Sequence, residues 1–328
     1  MNTRNKICLT AQAKGRVDFT GGFTDVVPLR DRFPAKHVNL SINRSVIVSA
    51  EPWAGDINLP GEAGGIGDSL KRAPGLESLQ AHYLDACWRL LLLRRVSNFQ
   101  LRGDLPMSVG LGSSAALAVA LVRLQLLDAG DDLAPEAVAE RAYEIECAAG
   151  HLCGKQDQYA SACENLNLFT FHGASAVREE IRLTAKTTRL LNCQLSVLCF
   201  PGKRNSASVL QTMLSQYALN AKHVEPILVH LNRLADGLRN SLAGGNLDDL
   251  GPMLHEVQRR QRELVSCCYT DAHFFVLTAL RNEGILGAKA VGGGGHAGTL
   301  LVFGDVARVR FALHKCGAAG VHVIDELL

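Results

Sequence analysis

The sequence has almost no charge excess of either sign: 34 Lys and Arg stand against 32 Asp and Glu in 328 residues, a formal net charge of +2. A protein that grips nucleic acid through a basic field needs a marked surplus of Lys and Arg, so that class is excluded. Long apolar runs are missing too. A membrane helix needs roughly 18 predominantly apolar residues. The one uncharged run of that order, residues 105–122, contains Pro106, glycines and serines, and only 115–122 is continuously apolar before Arg123. The start, MNTRNKICLTAQAKGR, shows no apolar stretch leading to a small-residue cleavage site, which argues against a signal peptide. Ten cysteines occur, yet without CxxC or a Cys/His grouping at zinc spacing. In a chain of this length they read as buried, reduced thiols rather than a disulfide scaffold. The expectation is a soluble cytoplasmic protein with no membrane and no nucleic-acid partner. Hydrophobic residues make up 47% and charged residues 20%, so a core is affordable and disorder is not indicated. The length suggests about two domains.

No repeat of fixed period is visible. Short apolar or β-branched runs predict strands at 7–13, 45–50, 98–102, 167–171, 195–200, 289–291, 299–303 and 320–324. Helical spacing predicts helices at 76–95, 113–129, 135–149, 206–217, 224–243, 247–265, 272–282 and 306–316. The helix at 113–129 is apolar almost all round and should be buried. Pro135 occupies the favoured first position of the next helix. A turn at 150–154 and a short helix follow, while 61–68 reads as a surface loop. Strands and helices interleave without strict βαβα rhythm, which favours an α+β fold. A boundary near 172–176 would divide the chain into 1–173 and 174–328. Apolar helix faces serve cores and dimer seams equally well, so a homodimer stays open.

Glycine is the one mild excess, with 31 residues against a usual share of roughly 7%. It concentrates at Gly21-Gly22, Gly110 to Gly112 and Gly292 to Gly295. The middle cluster, PMSVGLGSSAA from Pro106 to Ala116, follows a predicted strand and opens the most apolar helix. Small residues there let backbone N–H groups face an anion at a helix N-terminus. Capping chemistry by Ser113 or Ser114 would explain the same residues. Gly110-x-Gly112-x-x-Ala115 also fits a dinucleotide fingerprint, but the acidic residue it requires should end a second strand, and one helix fills that interval. Gly293-x-Gly295-x-x-Gly298 leads into a strand instead of a helix. No GK[ST] closes a Walker loop.

Three motifs in order, GRVDFTGGFTD (Gly15 to Asp25), PMSVGLGSSAA and KAVGGGGHAG (Lys289 to Gly298), resemble those of the GHMP kinases, the small-molecule kinases that include galactokinase, homoserine kinase and mevalonate kinase. The Gly-Gly before Thr24-Asp25 and the string GKQDQY (Gly154 to Tyr159) look most like the D-glycero-D-manno-heptose 7-phosphate kinase branch. Ser108 stands where many members have Gly or Ala. Phe23 interrupts a run that this branch writes as three glycines, and His296 replaces an apolar residue. The resemblance implies a ribosomal-S5-like N-terminal domain and a ferredoxin-like C-terminal domain with the site between them. It also implies ATP and Mg²⁺ as cofactors and a hydroxyl of a sugar or sugar phosphate as phosphoryl acceptor.

Roles follow by motif position. Pro106, Ser108, Gly110, Leu111, Gly112, Ser113, Ser114 and Ala115 would hold the ATP phosphates. Asp157 would be the base and Arg16 its cationic neighbour, stabilising charge on the transferring group. Gly22, Thr24, Asp25, Gly293 and Gly294 would border the acceptor, and Lys155 would suit an acceptor phosphate. Ser114 and Glu146 would hold Mg²⁺, with Glu144 as fallback. Glu146 lies eleven residues before Asp157, about 16.5 Å along one continuous helix, so the chain must turn back between them, at Gly150 and Gly154. Each residue also has a plain structural explanation: a first-turn Asp on a helix dipole, an exposed carboxylate, a surface ion pair. Two other functions fit the same motifs, a kinase for a non-sugar alcohol (amino-alcohol or isoprenoid) and a non-catalytic ligand sensor.

Overall fold

The computed structural model describes residues 8–52, 96–202, 206–285, 287–318 and 320–328. The helix expected at 76–95 and the loop at 61–68 lie outside them. In chain order the elements are β1 (Leu9–Asp18), α1 (Leu29–Arg32), β2 (Ala35–Pro52), β3 (Val96–Gly103), α2 (Ser113–Ala129), α3 (Pro135–Ala148), α4 (Gln156–Cys163), β4 (Leu166–His172) and β5 (Ser175–Glu180). There follow α5 (Ala185–Gln194), β6 (Leu195–Cys199), α6 (Ser206–Leu219), α7 (Ala221–Gly244), α8 (Leu250–Leu264), α9 (Asp271–Asn282), β7 (Gly287–Ala290), β8 (Thr299–Phe303), α10 (Val306–Lys315) and β9 (His322–Ile324). The α+β expectation holds. One sheet runs β1-β2-β4-β5 with β3 on β2, and the second runs β7-β8-β6-β9.

These elements fall into two compact units. The first comprises 8–15, 44–52, 96–107 and 112–163, and the second 16–43, 108–111 and 164–328. In the first unit, β2 from Val46 to Pro52 pairs antiparallel with β3. Helices α2, α3 and α4 pack on one another. As its apolar circumference requires, α2 is buried from Ala115 through Val122. Arg123 donates to the Gln12 and Ala162 carbonyls at 2.6 and 2.8 Å, and Ser161 to that of Lys14 at 2.7 Å, tying α2 and α4 to β1.

In the second unit, Ala35 to Leu40 of β2 run antiparallel to β4, which forms a hairpin with β5. The stretch 172–176 holds that hairpin's tight turn at Gly173-Ala174, with His172 paired to Ser175. β6 sits centrally in the other sheet, with every residue buried as its continuous apolar run predicts. α8 packs against β7 and against α7. The sequence reading starts the second strand at residue 45, but β2 begins ten residues earlier. Its His37, Asn39 and Ser41 are polar and yet buried, alternating with Val38, Leu40 and Ile42. β5 and α5 were not anticipated; β5 is polar and half-exposed, so it carries no apolar alternation.

Among the described residues every cysteine is free. Cys8, Cys147, Cys193 and Cys267 are exposed, which corrects the expectation that all are buried. No described helix is long and apolar enough to cross a membrane.

Candidate functional site

The second glycine motif forms a loop whose backbone alternates in hand. Backbone φ is +60° at Ser108, +101° at Gly110 and +74° at Gly112, so left-handed residues alternate along the loop. Such alternation points successive N–H groups to one side, and it explains the two glycines. The carbonyls are held from behind. Thr299 Oγ1 donates to Val109 O at 2.5 Å, Arg16 Nη1 to Gly110 O at 2.7 Å, and the Arg16 backbone N–H to Leu111 O at 2.9 Å. Three consecutive acceptors are thereby satisfied on one side. Gly112 is the N-cap of α2 and has no side chain with which to cap the helix end. Seven of the eight expected phosphate-loop residues span 108–115, with Ser108 exposed and Ser114 half-buried; Pro106 precedes them, half-buried.

Behind Arg16, in the same unit, lies a cluster that the sequence reading missed. Asp18 is fully buried, and its Oδ2 accepts from Lys289 Nζ at 2.5 Å while its Oδ1 accepts from the Gly292 N–H at 2.6 Å. Lys289 Nζ also donates to the Asp18 carbonyl at 2.8 Å. Arg16 Nη1 stands 4.0 Å from Asp18 Oδ1. Burial opposes ionisation of Asp18. The charges of Lys289 and Arg16, with hydrogen bonds from Lys289 and Gly292, outweigh it and hold the carboxyl below its ordinary value. The signal was present: Asp18 is two residues after Arg16, on the same strand face, and the third motif opens with a lysine.

The first and third motifs touch. A Cβ on Gly22, whose φ is +96°, would lie 2.6 Å from the Gly292 carbonyl. Gly22→Ala should therefore cost about 1–3 kcal/mol through strain and forced separation of the two loops. Urea denaturation checks this; unchanged stability would contradict the close approach. Thr24 and Asp25 are buried on His37, another residue not anticipated: His37 Nε2 is 3.0 Å from Thr24 Oγ1 and 3.7 Å from Asp25 Oδ1. In the third motif, Gly294 is buried against the Cys268 carbonyl, Gly293 is half-buried, and His296 is exposed.

The other candidates belong to the first unit. The chain does turn back after α3. Gly150 adopts φ +79°, and the N–H groups of Gly150 and His151 bond to the Cys147 and Glu146 carbonyls at 2.9 and 3.0 Å. α4 then returns so that Gln158 donates to Glu146 Oε2. Glu146 is 2% exposed, whereas Glu144, the fallback, faces solvent. Asp157 is half-buried in the first turn of α4. Lys155 is held by Glu140, at 2.6 and 2.8 Å to its two oxygens, and Tyr159 OH donates to Glu140 at 2.5 Å. The Lys155 ammonium, 5.4 Å from the Tyr143 ring centroid, thus locks α4 onto α3. A hydroxyl and a carboxylate are hard oxygen donors of the kind Mg²⁺ takes along with phosphates, so Ser114 and Glu146 fit that ion chemically. Among the described residues no group of three His, Cys, Asp or Glu could hold a metal.

No strand follows α2 before α3, which removes the dinucleotide-enzyme reading.

Comparison with known proteins agrees with the motif resemblance. Residues 81–165 match the family model described as GHMP kinases N terminal domain. A galactokinase of Thermotoga neapolitana is 28% identical over 225 residues, 61% of this chain. The chain spans 63% of the length of that curated relative. Among solved structures, a D-glycero-D-manno-heptose 1-phosphate kinase from Bacteriodes thetaiotaomicron is similar with TM-score 0.69 and 16% identity, covering 97% of this chain and 95% of that one. A mevalonate kinase from L. major, in complex with R-mevalonate, gives TM-score 0.68 and 18% identity, with 99% and 98% covered. Residues 81–165 are thus similar to the GHMP kinases N terminal domain, and the chain shares the α+β fold of these solved kinases.

Proposed function

We propose that this chain, built on the GHMP kinase fold, is an ATP- and Mg²⁺-dependent kinase that transfers the γ-phosphoryl group to a hydroxyl of a sugar or sugar phosphate. The observation that carries this reading is the loop 108–112, whose three carbonyls are bound from behind by Thr299 and Arg16. That arrangement favours N–H groups turned toward an anion, at the start of a buried helix. Asp157 is assigned as the base that takes the acceptor hydroxyl's proton, and its half-buried place leaves it accessible. Ser114 and Glu146 would hold Mg²⁺, which when bound neutralises charge on the phosphates. Arg16 braces the loop that receives them. Lys155 is assigned to placing α4, and with it Asp157, instead of to an acceptor phosphate, because Glu140 already takes its charge.

A polyol acceptor is favoured over an apolar alcohol by the polar set Thr24, Asp25 and His37 in the first motif. Such groups penalise an acceptor that cannot hydrogen-bond to them. Acceptor-dependent ADP release, screened over sugars, sugar phosphates and amino or isoprenoid alcohols, tests the reading. A sugar or sugar phosphate is expected to give turnover. Exclusive turnover of an isoprenoid alcohol would replace the acceptor assignment, and no ADP with any acceptor would favour the ligand sensor.

A further inference from the structure

Lys289 opens a glycine-rich motif, where a lysine is ordinarily read as a phosphate ligand. Its surroundings say otherwise: the ammonium is fully buried and bonded twice to Asp18. We propose that Asp18, held by Lys289 and the Gly292 N–H, is a positioning residue that keeps the Arg16 side chain on the Gly110 carbonyl and so sets the shape of the phosphate loop. The chain of contacts is short. Lys289 and Gly292 fix both carboxylate oxygens of Asp18. The carboxylate sits 4.0 Å from Arg16 Nη1, the same nitrogen that donates to Gly110 O at 2.7 Å. Without the anion, a guanidinium that is 2% exposed would lose the carboxylate 4.0 Å from its Nη1 and would be less firmly held against Gly110 O. Gly110 O would then lose its donor, and the alternating backbone of 108–112 would lose its brace. One buried ion pair therefore couples the first and third motifs to the second. Functional meaning for the loop rests on the kinase reading; the positioning itself does not.

The test uses the full chain with Asp18→Asn and Lys289→Met combined, which removes both charges and leaves an amide oxygen to accept from Gly292. Hydrogen exchange at amides 109–112 should speed by about tenfold or more, the loss of one hydrogen bond to a charged group, while β6 and β8 amides keep their protection. The ATP dissociation constant should rise by about tenfold, with the acceptor KM little changed. A merely structural pair would shift melting temperature and exchange throughout the second unit without singling out the loop. Unchanged loop exchange in the folded double variant would overturn the proposal. If the double variant does not fold, Arg16→Gln leaves the ion pair intact and removes the arm. Unchanged loop exchange there would overturn it as well. Faster loop exchange in a protein that binds no ATP would instead defeat the kinase reading and leave the positioning intact.

Discussion

Asp157→Asn should lower turnover by about 10²–10⁴-fold, the usual loss when a positioned base is removed. The amide keeps the shape of the carboxylate but cannot take the acceptor's proton. Folding should survive. Asp157 is half-buried in the first turn of α4, where a carboxylate gains only about 0.3–1 kcal/mol from the helix dipole. Nucleotide affinity should change little, since the cradle is backbone of residues 108–112 and its braces are Arg16 and Thr299. Single-turnover rates measured beside ATP binding separate the two effects. If the variant loses that fraction of stability and keeps its rate, Asp157 is a helix-start residue only, and the base must be sought elsewhere.

The second large effect concerns stability. Lys289→Met should cost about 3–5 kcal/mol near neutral pH, because it strands the Asp18 carboxylate in a fully buried place. In the wild type, Asp18 has a lowered native pKa. Its contribution is therefore present above the carboxyl's unfolded pKa and is lost as pH falls through the folded one. In the variant, burial dominates over the remaining Arg16 charge and raises the Asp18 pKa. The sign then reverses: protonated Asp18 needs no counter-ion, so stability is greatest in acid and falls as pH rises. Denaturation midpoints against pH should show the two proteins far apart at pH 7 and converging toward pH 4. A constant gap would mean that the loss comes from packing of the lysine stem and not from charge.

Much of the fold was legible. α2 was read to its terminal residues because an all-round apolar run of that length has one stable form, a buried helix, and because glycines bracket it. The turn after Glu146 was legible from Gly150 and Gly154 and from helix arithmetic, once the resemblance had assigned Glu146 and Asp157 to one site, since eleven residues of straight helix would carry Asp157 too far. The early half of β2 could have been read from Val38, Leu40 and Ile42, yet its polar alternate face suggests solvent; burial of His37, Asn39 and Ser41 is a tertiary fact. β5 left no apolar pattern to find.

The glycine motifs, with their turns and close loop contacts, were determined by sequence, because left-handed backbone and close approach permit few other residues. Partnership was not. Lys155 reads as a cation suited to an acceptor phosphate and turns out to be bound to Glu140, and Lys289, given no role in the sequence, is bound to Asp18, 271 positions away. A sequence states which charges exist. Only the fold decides which of them are taken out of water together, and a buried charge is held by whatever lies within a few ångströms, however far along the chain.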